Sequence, residues 1–163
     1  MEKPLISVVT VAYNAVATIE QTILSVINQT YPNIEYIIID GGSTDGTVNI
    51  IKKYMDHIAY WVSEPDKGIY DAMNKGIKKA NGEWINFINA GDSYYDKKSI
   101  EQIVLSFHEE GIIYYGDAWV NSICKKYWGK FSRRKLAMGN ICHQAIFLSL
   151  IHISEPTRQA EIS

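Results

Sequence analysis

The chain has 163 residues, of which 47% are apolar and 21% are charged, so it is long enough for one globular domain with a substantial core. Its net charge of -2 excludes a protein that binds nucleic acid through its overall charge. The two cysteines, Cys124 and Cys142, have no zinc-site spacing and fit a reducing compartment better than a disulfide framework.

Location is predicted from the start of the chain and from its apolar runs. The sequence passes from Met1 almost directly into a strand pattern, which predicts no signal peptide. No apolar run reaches the length needed to cross a bilayer, so we expect a cytoplasmic protein. The basic and aromatic segment 125–135 leaves contact with RNA, an anionic lipid headgroup or a diphosphate-linked acceptor open, although a solvated strand and loop is the simpler interpretation.

Hydrophobic periodicity predicts five strands that alternate with helices along the chain. The strands are expected over residues 6–11, 34–39, 58–62, 84–88 and 111–115. The first helix is expected to start at Thr18, whose hydroxyl can cap it, and three more are expected over 47–54, 69–80 and 98–108. This alternation predicts a right-handed, mostly parallel α/β sheet flanked by helices.

Polar loops follow these strands, and the carboxyl ends of parallel strands meet at one sheet edge, where ligands bind. At the end of the first strand, Thr10, Tyr13 and Asn14 offer side chains to a base and a phosphate, although turn formation explains Asn14 equally well. This loop contains no glycine, and the chain has no Gly-Lys-Ser/Thr sequence. The sequence therefore argues against both a dinucleotide-binding fingerprint and a P-loop.

The second strand ends in the strongest local motif, Asp40-Gly41-Gly42-Ser43-Thr44-Asp45-Gly46-Thr47. Its glycines permit a close approach of the backbone to a ligand. We assign Asp40 to a ribose or a base, because an acid directly after three isoleucines gains nothing from packing. Asp45 is expected to cap the next helix. A calcium loop is excluded, since its spacing needs a carboxylate where Ile51 stands.

The next two loops carry a lysine and a second acid. Lys67 can meet a phosphate near a helix N-terminus, with a solvated lysine as the alternative, and Asp71 and Asn74 near the start of that helix favour a functional role. Asp92 ends the fourth loop and can bind Mg²⁺ or Mn²⁺ while a nucleotide diphosphate supplies further oxygens, with a plain turn as the alternative. Asp117 repeats the strand-then-acid pattern and is a weaker candidate for the acceptor side.

These motifs together resemble family 2 glycosyltransferases of the GT-A fold, from about Ser7 to Phe147. The resemblance is carried by Thr10 to Asn14, Asp40 to Thr47, Ser63 to Gly76, and Tyr115 to Asp117. It implies that Thr10, Tyr13 and Asp40 hold the nucleotide and that Lys67 faces the base and diphosphate. It also implies that Asp92 binds the metal. Asn89 stands where many members have an acid, so Asp92 carries more of the metal-binding role.

The resemblance further implies a reaction. A sugar would pass, with inversion, from a nucleotide sugar, best a UDP-sugar, to the hydroxyl of a saccharide or lipid-linked saccharide, in polysaccharide or glycolipid synthesis. The cofactor would be Mg²⁺ or Mn²⁺. The catalytic base of the family is a carboxylate well downstream of the pair that corresponds to His143 and Gln144. Nothing after Phe147 resembles that region, so we expect this chain to hold only the donor-binding half.

The last residues have a different origin in this interpretation. Every residue from Leu148 to Arg158 fits one reading frame of a transposase-type sequencing adapter. We therefore expect residues 1–147 to be an incomplete family 2 domain and residues 148–163 to be non-native read-through.

Two other classes of protein are considered. A non-catalytic nucleotide-binding module would explain the missing base. A dinucleotide-dependent oxidoreductase would share the fold class and Asp40, but the glycine-free first loop argues against it.

Overall fold

The computed structural model describes residues 3–107, 113–116, 118–120, 125–127 and 145–150. Helices and strands alternate through most of this length. The strands are β1 Ile6–Ala12, β2 Ile34–Asp40, β3 Tyr60–Ser63, β4 Trp84–Phe87, β5 Ile113–Tyr115, β6 Ala118–Val120, β7 Lys125–Tyr127 and β8 Ile146–Ser149. The helices are α1 Ile19–Ile27, α2 Thr47–Lys53, α3 Ile69–Lys79 and α4 Ser99–Val104, with a 3₁₀ turn at Met55–His57.

Six strands form one mixed sheet in the order β3-β2-β1-β4-β8-β5, and β6 pairs with β7 in a separate two-stranded sheet. β1 pairs in parallel with β2 and β4, and β2 pairs in parallel with β3. β8 runs antiparallel to both β4 and β5. The predicted mostly parallel sheet flanked by helices is therefore confirmed, and β8 is a strand that periodicity did not predict.

Helices cover both faces of the central strands, which explains their unbroken apolar runs. On β1, Ile6 and Val8 face a core that α1, α2 and α4 close, through buried side chains that include Ile19, Ile23, Ile51 and Ile100. Val9 and Val11 face the opposite core, where α3 contributes Ala72 and Met73. Since every residue of β1 is buried, the strand is fixed at the centre of the molecule.

Some helix ends differ from their predicted positions. α4 runs only from Ser99 to Val104, shorter than the predicted helix over 98–108. Thr18 precedes α1 but makes no capping bond to it; its hydroxyl donates to the carbonyl of Ala15 at 3.5 Å instead. None of the helices in the described segments is long and apolar enough to cross a bilayer.

β8 contains the position at which we expected native sequence to end. Phe147 is buried and packs edge-on against Phe107, while Leu148 lies opposite Ile85 on β4. Leu148 and Ser149 are thus part of the sheet, and Leu150 packs against one of its cores, whatever their origin. Residues 151–163 lie outside the described part of the chain, as do the side chains of segment 125–135.

Candidate functional site

The carboxyl ends of β1, β2, β3 and β4 meet at one edge of the sheet, because these strands run in the same direction. Ala12 lies opposite Asp40, and Asp40 lies opposite Ser63, so three strands end at one level. On the other side, the N–H of Ala90 donates to the carbonyl of Val11 at 2.9 Å. The four polar loops predicted to form a site therefore do lie side by side.

Asp40 is completely buried at this edge. Its Oδ2 accepts hydrogen bonds from the backbone N–H groups of Gly42 and Ser43, at 3.2 and 2.8 Å, and from Ser63 Oγ at 2.6 Å. Its Oδ1 accepts a short hydrogen bond from Ser43 Oγ. The carboxylate thus folds the β2 loop back on its own strand and attaches β3, and it presents no exposed surface to a ligand.

The first two loops are fastened to each other through Asn14. Asn14 has a left-handed backbone with φ 47°, alone among the described non-glycine residues. Its N–H donates to Ser43 Oγ at 2.7 Å, and its Oδ1 accepts from the N–H of Thr44 at 3.0 Å. Asn14 therefore forms the turn, and its contact with a base or a phosphate stays a prediction.

Asp45 joins the same two loops to the start of α2. Its Oδ1 accepts from the N–H and the hydroxyl of Thr47, at 3.0 and 2.6 Å, and its Oδ2 accepts from the N–H of Val16 at 2.9 Å. These hydrogen bonds, chiefly the one from the Thr47 hydroxyl, hold the pKa of Asp45 below its usual value. Asp45 therefore satisfies the N-terminus of α2, as expected, although Gly46 immediately precedes the helix.

Thr10 and Tyr13 end up in opposite environments. Thr10 is completely buried, and its hydroxyl shares a 3.0 Å hydrogen bond with the hydroxyl of Tyr36 in the core. Burial raises the pKa of Tyr36 far above its usual value, so this pair stays neutral. Tyr13 is 67% exposed at the sheet edge. Of the two side chains, only Tyr13 is therefore available to a ligand in this structure.

In the third loop, Lys67 differs from its neighbours in the contacts that its side chain makes. Asp71 Oδ2 accepts from the N–H of Lys67 at 3.1 Å and lies 3.8 Å from Lys75 Nζ, which also pairs with Glu64 at 2.9 Å. Asp71 therefore stabilises the loop and the start of α3. Lys67 is exposed and forms no ion pair within the described segments, and Asn74 is half-buried one turn along the helix.

Asp66, which the sequence interpretation passed over, lies beside the first two loops. Its Oδ1 accepts from the N–H of Gly68 at 2.8 Å. A methyl group built on Gly41 would lie only 2.5 Å from Asp66 Oδ2. The signal for this arrangement was present in the sequence as the pair Gly41-Gly42, since a residue without a side chain leaves room for one from another loop.

Asn89 and Asp92 form a turn after β4. The N–H of Asp92 donates to the carbonyl of Asn89 at 2.9 Å, and Gly91 between them has φ 103°. Thr22 on α1 holds this turn, because its hydroxyl donates to the carbonyl of Asp92 at 2.8 Å and accepts from the N–H of Gly91.

The donors at this turn are the oxygens that a hard divalent cation prefers. Within the described segments, no three His, Cys, Asp or Glu side chains gather as a metal-binding group. One carboxylate and one amide therefore fit Mg²⁺ or Mn²⁺ only when a ligand supplies further oxygens. Asp117, His143 and Gln144 lie outside the described residues.

Comparison with known proteins identifies this fold as that of the GT-A glycosyltransferases. Residues 1–349 of S. aureus TarS superpose with a TM-score of 0.66 at 18% identity, over 96% of this chain and 52% of that one. The mannosyltransferase PcManGT of Pyrobaculum calidifontis, solved with GDP-Man and Mn²⁺, gives a TM-score of 0.63 at 22% identity, over 69% of this chain and 35% of that one. TarS 1–349 with UDP-GlcNAc gives 0.55 at 25% identity, over 60% of this chain and 29% of that one.

Residues 7–157 match Glycosyl transferase family 2, and the chain belongs to that family. A PGL/p-HBAD biosynthesis glycosyltransferase of Mycobacterium bovis is 33% identical over 153 residues, which cover 90% of this chain and 60% of that protein. An uncharacterized glycosyltransferase of Haemophilus influenzae is 34% identical over 120 residues, covering 72% and 48%. The chain thus spans less than two thirds of the length of the curated relatives it matches.

Proposed function

We propose that this chain is the donor-binding part of an enzyme that transfers a sugar from a nucleotide sugar to an acceptor hydroxyl. The observation that carries the proposal is the locked pair of loops at the sheet edge. Hydrogen bonds within the chain, among Asn14, Ser43 and Thr44, hold these loops together. Such a preformed edge needs little reorganisation when a nucleotide binds, so less of the binding free energy is lost to ordering.

The side chains left available at this edge suit the parts of a nucleoside diphosphate. The exposed ring of Tyr13 offers a face on which a base can stack. Lys67 is an exposed cation that can meet the diphosphate as a point charge. Asn74 lies further along α3 and would face the sugar. UDP is the best candidate donor, because TarS, solved with UDP-GlcNAc, is the more similar in sequence of the two ligand-bound neighbours described above.

Asp92, with Asn89 beside it, would hold Mg²⁺ or Mn²⁺ against the diphosphate oxygens. The ion would supply positive charge next to the leaving diphosphate. Lys67 adds to this stabilisation from the opposite loop, as negative charge grows on the leaving group. Thr10, Asp40 and Asp71 stabilise the loops of the site through the hydrogen bonds described above.

The rest of the reaction requires an acceptor and a carboxylate base. In an inverting displacement the base removes the proton of the acceptor hydroxyl as that oxygen attacks the sugar. We place this base in the part of the relatives that this chain does not cover, and Asp117 on the acceptor side. The acceptor is proposed to be a saccharide or a lipid-linked saccharide, in polysaccharide or glycolipid synthesis. A lipid-linked acceptor would bring the cytoplasmic enzyme to the inner face of the membrane.

Thermal unfolding with UDP tests the donor site directly. A ligand at 100 times its Kd stabilises the folded state by about 2.7 kcal/mol, so binding raises the melting temperature measurably. We expect UDP with Mn²⁺ to stabilise the chain more than UDP alone. Asp92→Asn should remove the increment due to Mn²⁺ and keep the increment due to UDP alone.

Asp56→Asn is the matched control, because Asp56 is exposed in the 3₁₀ turn that precedes β3, at the opposite end of the sheet. It should retain the full response to Mn²⁺. Failure of UDP, GDP, ADP and CDP to stabilise the chain, with or without Mn²⁺, would refute the proposed function.

A further inference from the structure

Asp40, the acid that the sequence assigned to a ribose or a base, presents no exposed surface to a ligand. Its side chain is completely buried, and hydrogen bonds from Gly42, Ser43 and Ser63 occupy its carboxylate. Because the side chain is fully buried, a ligand donor reaches it only if the surrounding loop moves. Gly41, the next residue, has no side chain to offer.

The space above Gly41 is filled by Asp66 from the third loop. A methyl group on Gly41 would lie 2.5 Å from Asp66 Oδ2 and 3.2 Å from its Cγ. The same methyl group would lie 3.3 Å from Cδ2 of Tyr13. The carboxylate of Asp66 is therefore next to the exposed aromatic ring, over the end of β2.

The two carboxylate oxygens of Asp66 have different surroundings. Oδ1 accepts from the N–H of Gly68 at 2.8 Å, which fixes the orientation of the side chain. Among the residues that the structure describes, no donor hydrogen-bonds to Oδ2. Lys75 adds a favourable electrostatic interaction, since Asp66 is one of the acids that raise the pKa of this lysine after its main partner Glu64. Asp66 is thus a preoriented carboxylate with one acceptor atom available at the site edge.

We propose that Asp66 is the base-reading residue of this site, and that it selects a base that presents a ring N–H donor. This inference rests on the proposed nucleotide-sugar function. The flat base stacks on Tyr13, and Oδ2 of Asp66 accepts a hydrogen bond from its edge.

The chemistry of the base decides which nucleotide fits. An ionised carboxylate is an acceptor only. Uracil presents N3–H to it, whereas cytosine has a bare nitrogen acceptor at the same position, and the two lone pairs repel. The pyrimidine rings have nearly the same size, so a difference between UDP and CDP reports this hydrogen bond and not the fit of the pocket. A charge-assisted hydrogen bond corresponds to a UDP preference of about tenfold or more.

Calorimetric titration of the chain with UDP and with CDP, in Mn²⁺, tests the proposal. Asp66→Asn keeps an oxygen for the N–H of Gly68 and adds an amide that can donate to N3 of cytosine. We expect this variant to bind UDP about tenfold more weakly and to lose most of the preference over CDP. Asp56→Asn, the same change on an exposed acid remote from the site, should keep the wild-type ratio.

A variant that places the carboxylate on a different residue distinguishes a role of Asp66 in base recognition from a purely structural role. Gly41 does not have a left-handed backbone, so a side chain there is blocked mainly by Asp66 itself. In the double variant Gly41→Asp/Asp66→Ala, an acid enters the same space from the β2 loop. This variant should regain a preference for UDP that Asp66→Ala alone lacks.

The outcomes are distinct. An unchanged UDP-to-CDP ratio in Asp66→Asn, or equal losses for both nucleotides, overturns the role of Asp66 while nucleotide binding itself stands. Absence of binding of either nucleotide by the wild-type chain overturns the proposed function and, with it, this inference. Circular dichroism melting of each variant confirms that the comparison is made on folded protein.

Discussion

At the scale of single residues, Asp40 is a buried charge held by its own loop. Burying a carboxylate is unfavourable unless donors replace the lost water, and Gly42, Ser43 and Ser63 supply them. These donors come from the β2 loop and from the end of β3. Asp40 therefore determines the shape of the edge on which Tyr13 and Lys67 are presented.

Asp40→Ala should destabilise the chain, because it leaves several donors in partly buried hydrogen bonds without an acceptor. Loss of a hydrogen bond to a charged group costs about 1.5–3 kcal/mol, so we expect the free energy of unfolding to fall by about 3 kcal/mol. Urea denaturation measures this, with Asp56→Ala as a control expected to stay within about 0.5 kcal/mol of wild type. Unchanged stability together with lost UDP affinity would instead make Asp40 a direct ligand.

Lys67→Ala should weaken UDP binding about tenfold without changing the affinity for uridine, because the lysine is proposed to act on the diphosphate. Titration calorimetry with both ligands gives the comparison. Lys78→Ala is the matched control, since Lys78 is exposed near the other end of α3. Equal losses for UDP and uridine would mean that Lys67 acts on the base or on the loop.

At the scale of secondary-structure elements, the position of α3 depends on a close contact with β1. A methyl group on Gly76 would lie 2.5 Å from Cγ1 of Val9, which is completely buried. The absence of a side chain at Gly76 therefore lets the helix lie directly on the strand. This contact sets the distance of the N-terminal end of α3, with Lys67 and Asp71, from the other loops.

Gly76→Ala tests this contact. Alanine favours a helix over glycine by about 1 kcal/mol, but overpacking a core costs about 1–3 kcal/mol. Since Val9 lies on a central strand and cannot move aside, we expect a net loss of about 1–2 kcal/mol in the free energy of unfolding. Gly116→Ala is the control, because no atom of the residues that the structure describes lies within 4 Å of a methyl group there.

The pair of variants Gly76→Ala and Val9→Ala extends this test. The double variant should be less destabilised than the sum of the two single variants, because Val9→Ala removes the atom that clashes. Strict additivity of the two free energies would show that the close contact does not limit the helix position.

The opposite edge of the sheet is tied by Glu35. Its Oε2 accepts from Ser7 Oγ at 2.5 Å and from the N–H of Asn81 at 2.8 Å, and its Oε1 accepts from Asn81 Nδ2 at 2.6 Å. Burial raises the pKa of Glu35, but the hydrogen bonds from Asn81 and Ser7 outweigh it, so its pKa lies below the usual value.

Glu35 should make the stability depend on pH. Because its folded-state pKa is lowered, its contribution is complete above the unfolded pKa, about 4.3, and is lost as pH falls through the folded value. We expect Glu35→Gln to cost on the order of 1 kcal/mol at pH 7 and progressively less below pH 4. Urea denaturation of both proteins from pH 7 to pH 3 gives this difference. A constant difference across that range would contradict the prediction.

At the scale of the whole molecule, the chain is a family 2 domain shorter than its relatives. It spans 60% of the length of the Mycobacterium bovis protein. Apolar side chains are exposed around the outer strand β5, with Leu105 at 81%, Ile113 at 54% and Tyr115 at 41%. A surface of this kind commonly associates with other chains. The proposed donor site lies at the other side of the described sheet, around β1 to β4.

The chain as printed should bind UDP and fail to transfer sugar. We propose that this chain contains the donor-binding edge, and we place the carboxylate base in the part of the relatives beyond this chain. Assays of UDP release across a panel of UDP-sugars with Mn²⁺ and saccharide acceptors measure this, with a full-length family 2 enzyme as the positive control. Robust, metal-dependent transfer would locate the base within residues 1–147, and Asp117 would be the first residue to substitute.

The sequence by itself determined the order of the elements and the four polar loops that follow β1 to β4. Local patterns determine where helices and strands begin and end. These patterns are apolar runs followed by glycines and acids, and they extend over only a few residues. β1 to β4 and α1 to α3 are therefore close to their predicted bounds. Asp45 at the start of α2 was predictable for the same reason, since its partner Thr47 is two residues away. The family resemblance, carried by the same local motifs, is confirmed by the family match over residues 7–157.

Only the tertiary structure decided what each polar side chain contacts. Thr10 pairs with Tyr36 across two strands, Asp40 accepts from Ser63 on a third, and Asp66 fills the space above Gly41. Each of these contacts joins residues more than 20 positions apart, which no local pattern specifies. From the sequence alone, an acid at the end of a strand is equally consistent with binding its own loop and with binding a ligand. The physical difference lies in which donors the folded sheet brings to within 3 Å of its oxygens.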